Sequence, residues 1–391
     1  MVEKLPLADL HIHSRNSFDA VPSINEIITN AQNNNVQWVS ITDHNNFGAV
    51  KELYYKRDEN FALPYISIAG LNLLSGVEVT CRVSDVENNK GNSTKVHLLV
   101  YGFNLDRHTP LYKLMKIKHA NDRDYDFGIL EYILSRIPHH NVTGKDIRKY
   151  IEDKIYKGKG YNEFGRNDIE RFLQKQGITI ATSYRRLEEL MTEAPRYQRL
   201  NIEAKDLIKI AHASGGYVML AHPSVNLCRT PYPVELIRHL VSNGIDGFET
   251  FYPAASEYAV DIINEAMDSL DVHKPLFFTG GSDSHDFMRG NSLGYFNRNF
   301  PITLNYVEHF LDEMNELMKV RQEGMLHFRD YNQVSHDEAE RLLDKYFDKS
   351  REIKDIAIKN GFVSPSALVP SSLIENLEKN SDRGDYPHLI N

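Results

Sequence analysis

The chain has 391 residues, 41% of them hydrophobic, and a formal net charge of −9 from 45 basic and 54 acidic side chains. This is the composition of an ordinary globular protein, with room for one large α/β domain and an insertion or smaller second domain. A surface of that sign disfavours broad, non-specific nucleic-acid binding, and two cysteines exclude a disulfide framework.

The first strand pattern, "LADLHIH" at 7–13, arrives almost at once. Such a start predicts no signal peptide, and no apolar run is long enough for a membrane span. Cys81 and Cys228 read as small buried hydrophobes in a reducing cytoplasm. Alternation puts His11 and His13 on one face, about 6.5–7 Å apart, which suits two ligands of one metal ion. With 17 histidines in the chain, pairs of this kind also arise by chance, so the rest of the sequence has to decide.

A helix follows Ser23 as N-cap, with Ile24, Ile27, Ile28 and Ala31 at i, i+3, i+4 and i+7. Strand patterns recur at "WVSITDH" (38–44), "LLSGVEVTC" (73–81), "KVHLLVYGF" (95–103), "YVMLAHP" (217–223), "GFETFYP" (247–253) and "PLFFTGGSDSH" (275–285). A further helix carries Leu207, Ile210 and Ala211 on one face and stops at Gly215–Gly216. Alternating strands and helices predict parallel strands with helical crossovers. Polar residues at the strand C-terminal ends suggest a barrel related to the TIM type, with its site on that face.

The charged, helical stretch 105–204 is too long for a crossover and reads as an inserted cap. Beyond 300 the pattern is again helical. Val307, Phe310, Leu311, Met314, Leu317 and Met318 form one apolar stripe. Ser335 and Glu338 make a capping box before Leu342, Leu343, Tyr346 and Phe347, and Lys359-Asn360-Gly361 reads as the stop. The expected architecture is a barrel built from 1–104 and 205–300, a helical cap at 105–204 and a helical extension at 301–391.

Metal-ligating residue types gather at the predicted strands. Asp19 follows His11 and His13, Asp43 and His44 end the second strand, and Glu78 lies in the third. His97 is in the fourth, His222 closes the fifth, and Asp283 and His285 close the seventh. A mixed His/Asp/Glu set without cysteine suits divalent ions such as Zn, Mn or Fe. His108, His119, His139, His140, His212 and His239 fall outside this pattern and read as structural or exposed.

The segments "DLHIHSRNSFDA", "SITDHN", "SGVEVT", "VHLLVYGF", "LAHP" and "GGSDSH", in this order, resemble the polymerase and histidinol phosphatase (PHP) metallophosphoesterases. The resemblance implies a distorted (β/α)7 TIM-like barrel with three divalent metals. By motif position, the first metal would take His11, His13, Glu78 and Asp283. Glu78 would bridge to a second held by His97 and His222, and the third would take Asp19, His44 and His285. "FGRNDIERFL" and "LNIEAKDLIKIAHASGGYVMLAHP" are similar to a branch that dephosphorylates nucleotides, including nucleoside 3′,5′-bisphosphate phosphatases that also degrade short RNA from the 5′ end. In that branch an Arg in a motif resembling Gly165-Arg166 reaches the substrate phosphate from the cap. The chain has Ala20, Asn45 and Asp168 where the branch has Gly, Asp and His.

The resemblance therefore implies a metal-dependent phosphoesterase using metal-activated water. Its substrates would be phosphate monoesters of nucleotides (nucleoside 5′-monophosphates or 3′,5′-bisphosphates) or short 5′-phosphorylated RNA or DNA ends. Glu78 and Asp283 would act as catalytic residues fixing the metals, and Asp43 would orient the ligand histidines. Arg166 would grip phosphate, with Lys154, Lys157 and Lys159 adding positive charge. Three alternatives stay open: a histidinol-phosphate-type phosphatase, a non-catalytic binding domain, and an amidohydrolase-type enzyme. The last also begins with His-x-His but carries a carboxylated Lys where this chain has Glu78.

Overall fold

The computed structural model describes residues 5–17, 19–137, 141–147, 149–150, 166–178, 189–190, 199–270, 276–287, 292–296, 300–323 and 334–359. His139, His140, Lys154, Lys157, Lys159, Gly165 and the stop and tail from Asn360 onward lie outside them. The chain forms two compact units: Met1–Lys113 with Asn201–Leu343, and Leu114–Leu200 with Asp344–Asn391.

In chain order the strands are β1 (Leu7–Ile12), β2 (Val36–Ile41), β3 (Tyr65–Ile68), β4 (Leu71–Leu74), β5 (Gly76–Glu87), β6 (Ser93–Tyr101), β7 (Ile202–Glu203), β8 (Tyr217–Leu220), β9 (Gly247–Phe251), β10 (Phe277–Gly280), β11 (Tyr295–Phe296) and β12 (Phe300–Pro301). The helices are α1 (Ile24–Asn33), α2 (Gly48–Lys56), α3 (Pro110–Ser135), α4 (Arg166–Lys175), α5 (Ala204–Ala213), α6 (Pro223–Leu227), α7 (Pro233–Ser242), α8 (Glu257–Asp268), α9 (Leu304–Gln322) and α10 (His336–Lys359).

In the first unit β1, β2, β4 and β3 make one sheet, and β10, β9, β8, β6, β5 and β7 make another. The two meet through single bridges, Ile12 to Ser284 and His44 to Glu78. The result is a mixed α/β fold with parallel pairs β1–β2, β2–β4, β8–β9 and β9–β10.

The structure corrects the expected strands in two places. First, "LLSGVEVTC" is two strands. It breaks at Ser75, whose N–H donates to Pro64 O at 2.8 Å and whose hydroxyl donates to Phe103 O at 3.1 Å. Gly76 then passes so close to β2 that a Cβ there would lie 2.0 Å from Ser40 Oγ. Second, β5 and β6 pair antiparallel, as do β6 and β8. Asn88 turns the hairpin, its Oδ1 accepting from the N–H groups of Lys90 and Asn92 at 2.8 and 3.2 Å. That Asn/Gly-rich run carries turn chemistry which a count of strand–helix alternation passes over.

The apolar core lies beneath the site. Ala8, Leu10, Trp38, Leu74, Leu99, Tyr101, Tyr217, Met219 and Phe277 meet Val307, Phe310, Leu311, Met314 and Leu317 of α9. The stripe read from sequence is thus buried, and α9 closes the core of the first unit. A register shift in β1 between Asp9 and Ile12 adds a residue relative to β2. Alternation sends Ala8 and Leu10 into the core and turns His11 and His13 to the opposite face, toward the site. α1 starts at the expected capping box: Ser23 Oγ accepts from Glu26 N–H, and Glu26 accepts from Ser23 N–H.

In the second unit, Phe127, Leu130, Ile133 and Leu134 of α3 and Ile169, Phe172 and Leu173 of α4 are buried. Lys118 and Asp122 form a buried pair one turn apart at 2.9 Å. Among the described residues no helix is long and apolar enough to cross a membrane.

Arg321, near the end of α9, is a buried cation that closes three loops at once. Nη1 donates to Ala62 O and Gly102 O, both at 2.7 Å, and Nη2 donates to Gly215 O at 2.8 Å. Gly215 has φ +75, and a Cβ there would sit 2.5 Å from Nη2. Replacing Arg321 by Met leaves three carbonyls without this donor. The expected loss is about 2–4 kcal/mol, read as a lower urea midpoint for unfolding.

Candidate metal centre

Backbone hydrogen bonds bring the strand ends together before any side chain is considered. His13 N–H donates to Ser284 O at 3.1 Å and Asp283 N–H to His11 O at 2.9 Å, joining the ends of β1 and β10. Asn45 N–H donates to Glu78 O at 2.7 Å, and Asn45 Oδ1 accepts from Thr80 N–H at 3.0 Å, locking the end of β2 onto β5. Asn45 has φ +50, a backbone state that Asn tolerates. Ala221 N–H donates to His97 O at 3.1 Å, fixing β8 on β6. Gly281 allows the closest approach, since a Cβ there would lie 2.2 Å from His11 Cβ.

These locks bring the other eight expected ligand side chains together around the ninth, Glu78, which is fully buried. Its Oε1 lies 2.7 Å from His97 Nδ1 and 2.9 Å from His222 Nε2. Its Oε2 lies 3.5, 3.3 and 2.9 Å from His11 Nε2, His13 Nε2 and His44 Nδ1. Asp283 Oδ1 is 3.4 Å from His11 Nε2 and 3.2 Å from His13 Nε2, which are 3.1 Å from each other. Farther out, Asp19 Oδ2 is 3.4 Å from His44 Nε2 and 3.3 Å from His285 Nε2. Three overlapping groups could hold an ion: His11, His13 and Glu78; His44, Glu78 and His97; and His13, His44 and His285.

The spacing tests whether metals fit. His11 Nε2, His13 Nε2, Glu78 Oε2 and Asp283 Oδ1 are linked by five separations of 3.1–3.5 Å. A regular tetrahedron with such edges has its centre about 2.0 Å from each corner, the bond length of a divalent ion to N or O ligands. Glu78 Oε2, His97 Nε2 and His222 Nδ1 are buried without a hydrogen-bond partner. A buried carboxylate oxygen close to three imidazole nitrogens but hydrogen-bonded to none is arranged for a cation at the shared centre, not for protons. The donor set fits divalent metal.

Charge tells the same story. Burial opposes ionisation of Glu78, yet the positive charge of His44, His97 and His11 holds its carboxyl well below the usual range. Burial pulls His13 down to about 3, and charge on His44 and His285 adds to the effect. His13 therefore stays neutral with a lone pair to give. His222 and Asp283 have φ +29 and +49, strained states for residues with a Cβ and common at functional sites.

Two supporting groups escaped the sequence reading. Glu249 in the middle of β9 is fully buried; its Oε1 accepts from His11 Nδ1 at 3.0 Å and its Oε2 from His222 N–H at 2.7 Å. The proton on His11 Nδ1 leaves Nε2 as the metal-facing lone pair. An acidic residue in the middle of "GFETF" was the available signal. Ser17 is the second. With Asp43 ionised, Ser17 Oγ donates to Asp43 Oδ1 at 3.0 Å, accepts from His44 N–H at 2.9 Å, and so accepts from His13 Nδ1 at 3.1 Å. Asp43, pushed up to about 7 by burial, also takes both Ser14 donors at 2.7 Å. Asp43 was expected to orient ligand histidines; it reaches His13 through Ser17. His212 and His239, set apart in the sequence, lie near Asp246 and Asp85, at 2.8 and 3.7 Å. Arg166 opens α4 of the second unit.

The chain was compared with known proteins. The PHP domain family model matches residues 9–218, just over half of the chain. No curated protein matches it. A structure from Bifidobacterium adolescentis, whose name proposes a metal-dependent phosphoesterase, is 20% identical, covers 78% of this chain and 95% of its own, and superposes with a TM-score of 0.53. An amidohydrolase from Chromobacterium violaceum with bound sulfate and no metal is 21% identical, covers 79% and 96%, and gives 0.47. The first of these likenesses concerns the fold alone.

Because Glu249 and Ser17 fix imidazole tautomers without supplying a ligand atom, Glu249→Gln and Ser17→Ala should each weaken divalent-metal affinity by about 10–100-fold. Competition against a chromogenic chelator measures this. Unchanged affinity in both variants removes the two residues from the site.

Proposed function

The chain belongs to the PHP domain family, and from that premise we propose that it is a metal-dependent phosphoesterase acting on phosphate monoesters. The observation that supports it most is the division of Glu78: Oε1 turns to His97 and His222, and Oε2 to His11, His13 and His44. A carboxylate shared this way would serve as a ligand to two divalent cations, which would supply charge neutralisation to a phosphoryl group.

In this reading the first ion is held by His11, His13, Glu78 and Asp283, the second by Glu78, His97 and His222, and the third by Asp19, His44 and His285. Mn, Zn and Fe match the donors. Such ions acidify water toward neutrality and neutralise phosphoryl charge. The protein's own residues do the rest. Glu249 and the Ser17–Asp43 pair hold His11 and His13 in the ligating tautomer. The barrel-type face is open at Asp19, Asp283 and His285, which are half-buried, and substrate enters there. Arg166, in the 105–204 insertion, takes a substrate phosphate through its guanidinium fork. The substrates are nucleoside 5′-monophosphates, 3′,5′-bisphosphates or short 5′-phosphorylated RNA or DNA ends. Cys81 is buried as expected, whereas Cys228 is exposed and so is not the buried hydrophobe expected of it; free thiols of this kind suit a reducing cytoplasm.

Wild-type protein loaded with Mn²⁺ should hydrolyse p-nitrophenyl phosphate and lose the activity in EDTA; full activity in EDTA overturns the reading. His222→Ala and Asp283→Ala should each lower kcat/KM by about 10²–10⁴-fold. Arg166→Ala should weaken hydrolysis of phosphorylated nucleotides by about 10–1000-fold, the loss of one charge-assisted contact worth about 1.5–4 kcal/mol.

A further inference from the structure

The two oxygens of Glu78 face different kinds of histidine. Oε2 accepts no hydrogen bond, although His11 Nε2 and His13 Nε2 lie 3.5 and 3.3 Å away. The protons of these rings are engaged on the outer side: His11 Nδ1 donates to Glu249 Oε1 at 3.0 Å and His13 Nδ1 to Ser17 Oγ at 3.1 Å. A neutral imidazole carries a single proton, so both Nε2 atoms turn a lone pair inward, 3.1 Å from each other. Lone pairs that close repel, and a cation bound by both removes the repulsion. The residues of this first seat are already in the ligating form.

His97 and His222 are set the other way. Glu78 Oε1 lies 2.7 Å from His97 Nδ1 and 2.9 Å from His222 Nε2, both in hydrogen-bonding geometry. A carboxylate only accepts, so each ring keeps its proton on the nitrogen that a second cation needs. The outer nitrogens, His97 Nε2 and His222 Nδ1, are buried and have no partner among the described residues. Ligation therefore breaks two hydrogen bonds to Glu78 and moves each proton outward, where no acceptor receives it. The turn that carries His222 is also fixed. His222 N–H donates to Glu249 Oε2 at 2.7 Å, Asn226 Nδ2 to Ala221 O at 2.6 Å and Ser224 N–H to the Tyr252 hydroxyl at 2.6 Å. Held on both sides, the turn does not carry Nδ1 to a partner.

We propose that the second seat, Glu78 Oε1 with His97 and His222, fills after the first and holds its cation weakly, as an exchangeable activator. The first seat, with outer partners on both rings, fills at low metal concentration and keeps its ion. Each missing outer partner weakens metal affinity by about 10–100-fold, so two of them set the seats at least about 100-fold apart. The order of filling rests on these hydrogen bonds; the activator role rests on the phosphoesterase reading. Activity that needs both cations then follows the free concentration of divalent metal, while the tight ion stays bound at rest.

Crystals of metal-free wild type given two equivalents of Mn²⁺ locate the ions by anomalous scattering. The signal among His11, His13 and Asp283 should exceed that between His97 and His222; an equal or greater signal at the latter overturns the order. Calorimetric titration of metal-free protein with Mn²⁺ should resolve a tight and a weak class at least about 100-fold apart. His97→Asn, whose amide keeps a donor near the place of Nδ1, should lose an ion from the weak class and leave the tight class unchanged. A single class in wild type, or a tight class that loses an ion in His97→Asn, overturns the proposal. The crystal test uses wild type alone and stands whether or not the variant folds. Hydrolysis of p-nitrophenyl phosphate should rise with free Mn²⁺ as the weak class fills; full activity with only the tight class filled overturns the activator role. Wild type inactive at saturating Mn²⁺ overturns the phosphoesterase reading instead, and the crystals and calorimetry still decide the order of filling.

Discussion

A single buried carboxylate sets the terms for the first unit. Glu78 has no exposure to water, and an ionised carboxylate in that position is tolerated only with opposite charge around it. It also sits at the bridge through which the two sheets meet at His44. Charge compensation and sheet assembly are therefore one problem. The six imidazoles that face or flank Glu78 come from β1, β2, β6, β8 and β10 or the loops they lead into, so neutralising the carboxylate requires those strands to end at one place.

The rest of the unit holds that convergence rigid. Backbone hydrogen bonds at the strand ends set the Cα positions, alternation along β1 aims His11 and His13 at the site, and Glu249 and Ser17 set the protons on the rings. Strain at His222 and Asp283, each with positive φ, is offset by the apolar packing below, where α9 fills the core and Arg321 ties down three loops. A site that keeps unpartnered buried atoms such as Glu78 Oε2 and His222 Nδ1 is unfavourable as bare protein. Its stability and its chemistry both point to bound cations, which is why the metal reading and the fold are hard to separate.

The hairpin β5–β6 shows how one element serves two ends. Its inner part supplies Glu78 and His97 to the centre. Its outer part, up to the turn at Asn88, sets Arg82 directly across from Lys95 and ties the tip to the turn after α6 through Asn89.

The sequence by itself determined the residue types and their order: His11 and His13 two apart, Asp43-His44 and Asp283-x-His285 at strand ends, and the α9 stripe. These are local periodicities, and they survive folding because alternation and helical repeat are properties of the backbone. Tertiary structure alone decided what those residues meet. Nothing local revealed that Ser75 splits one apolar run between two sheets, or that β6 pairs antiparallel with β8, since such pairing depends on partners distant in the chain; only the β5–β6 hairpin had a local signal, in its Asn/Gly-rich turn. Glu249 lies 238 residues from His11, and Ser17 serves His13, Asp43 and His44 with a single hydroxyl. Which nitrogen of an imidazole carries the proton is set by the acceptor that three-dimensional packing puts beside it, and one-dimensional spacing does not encode that neighbour.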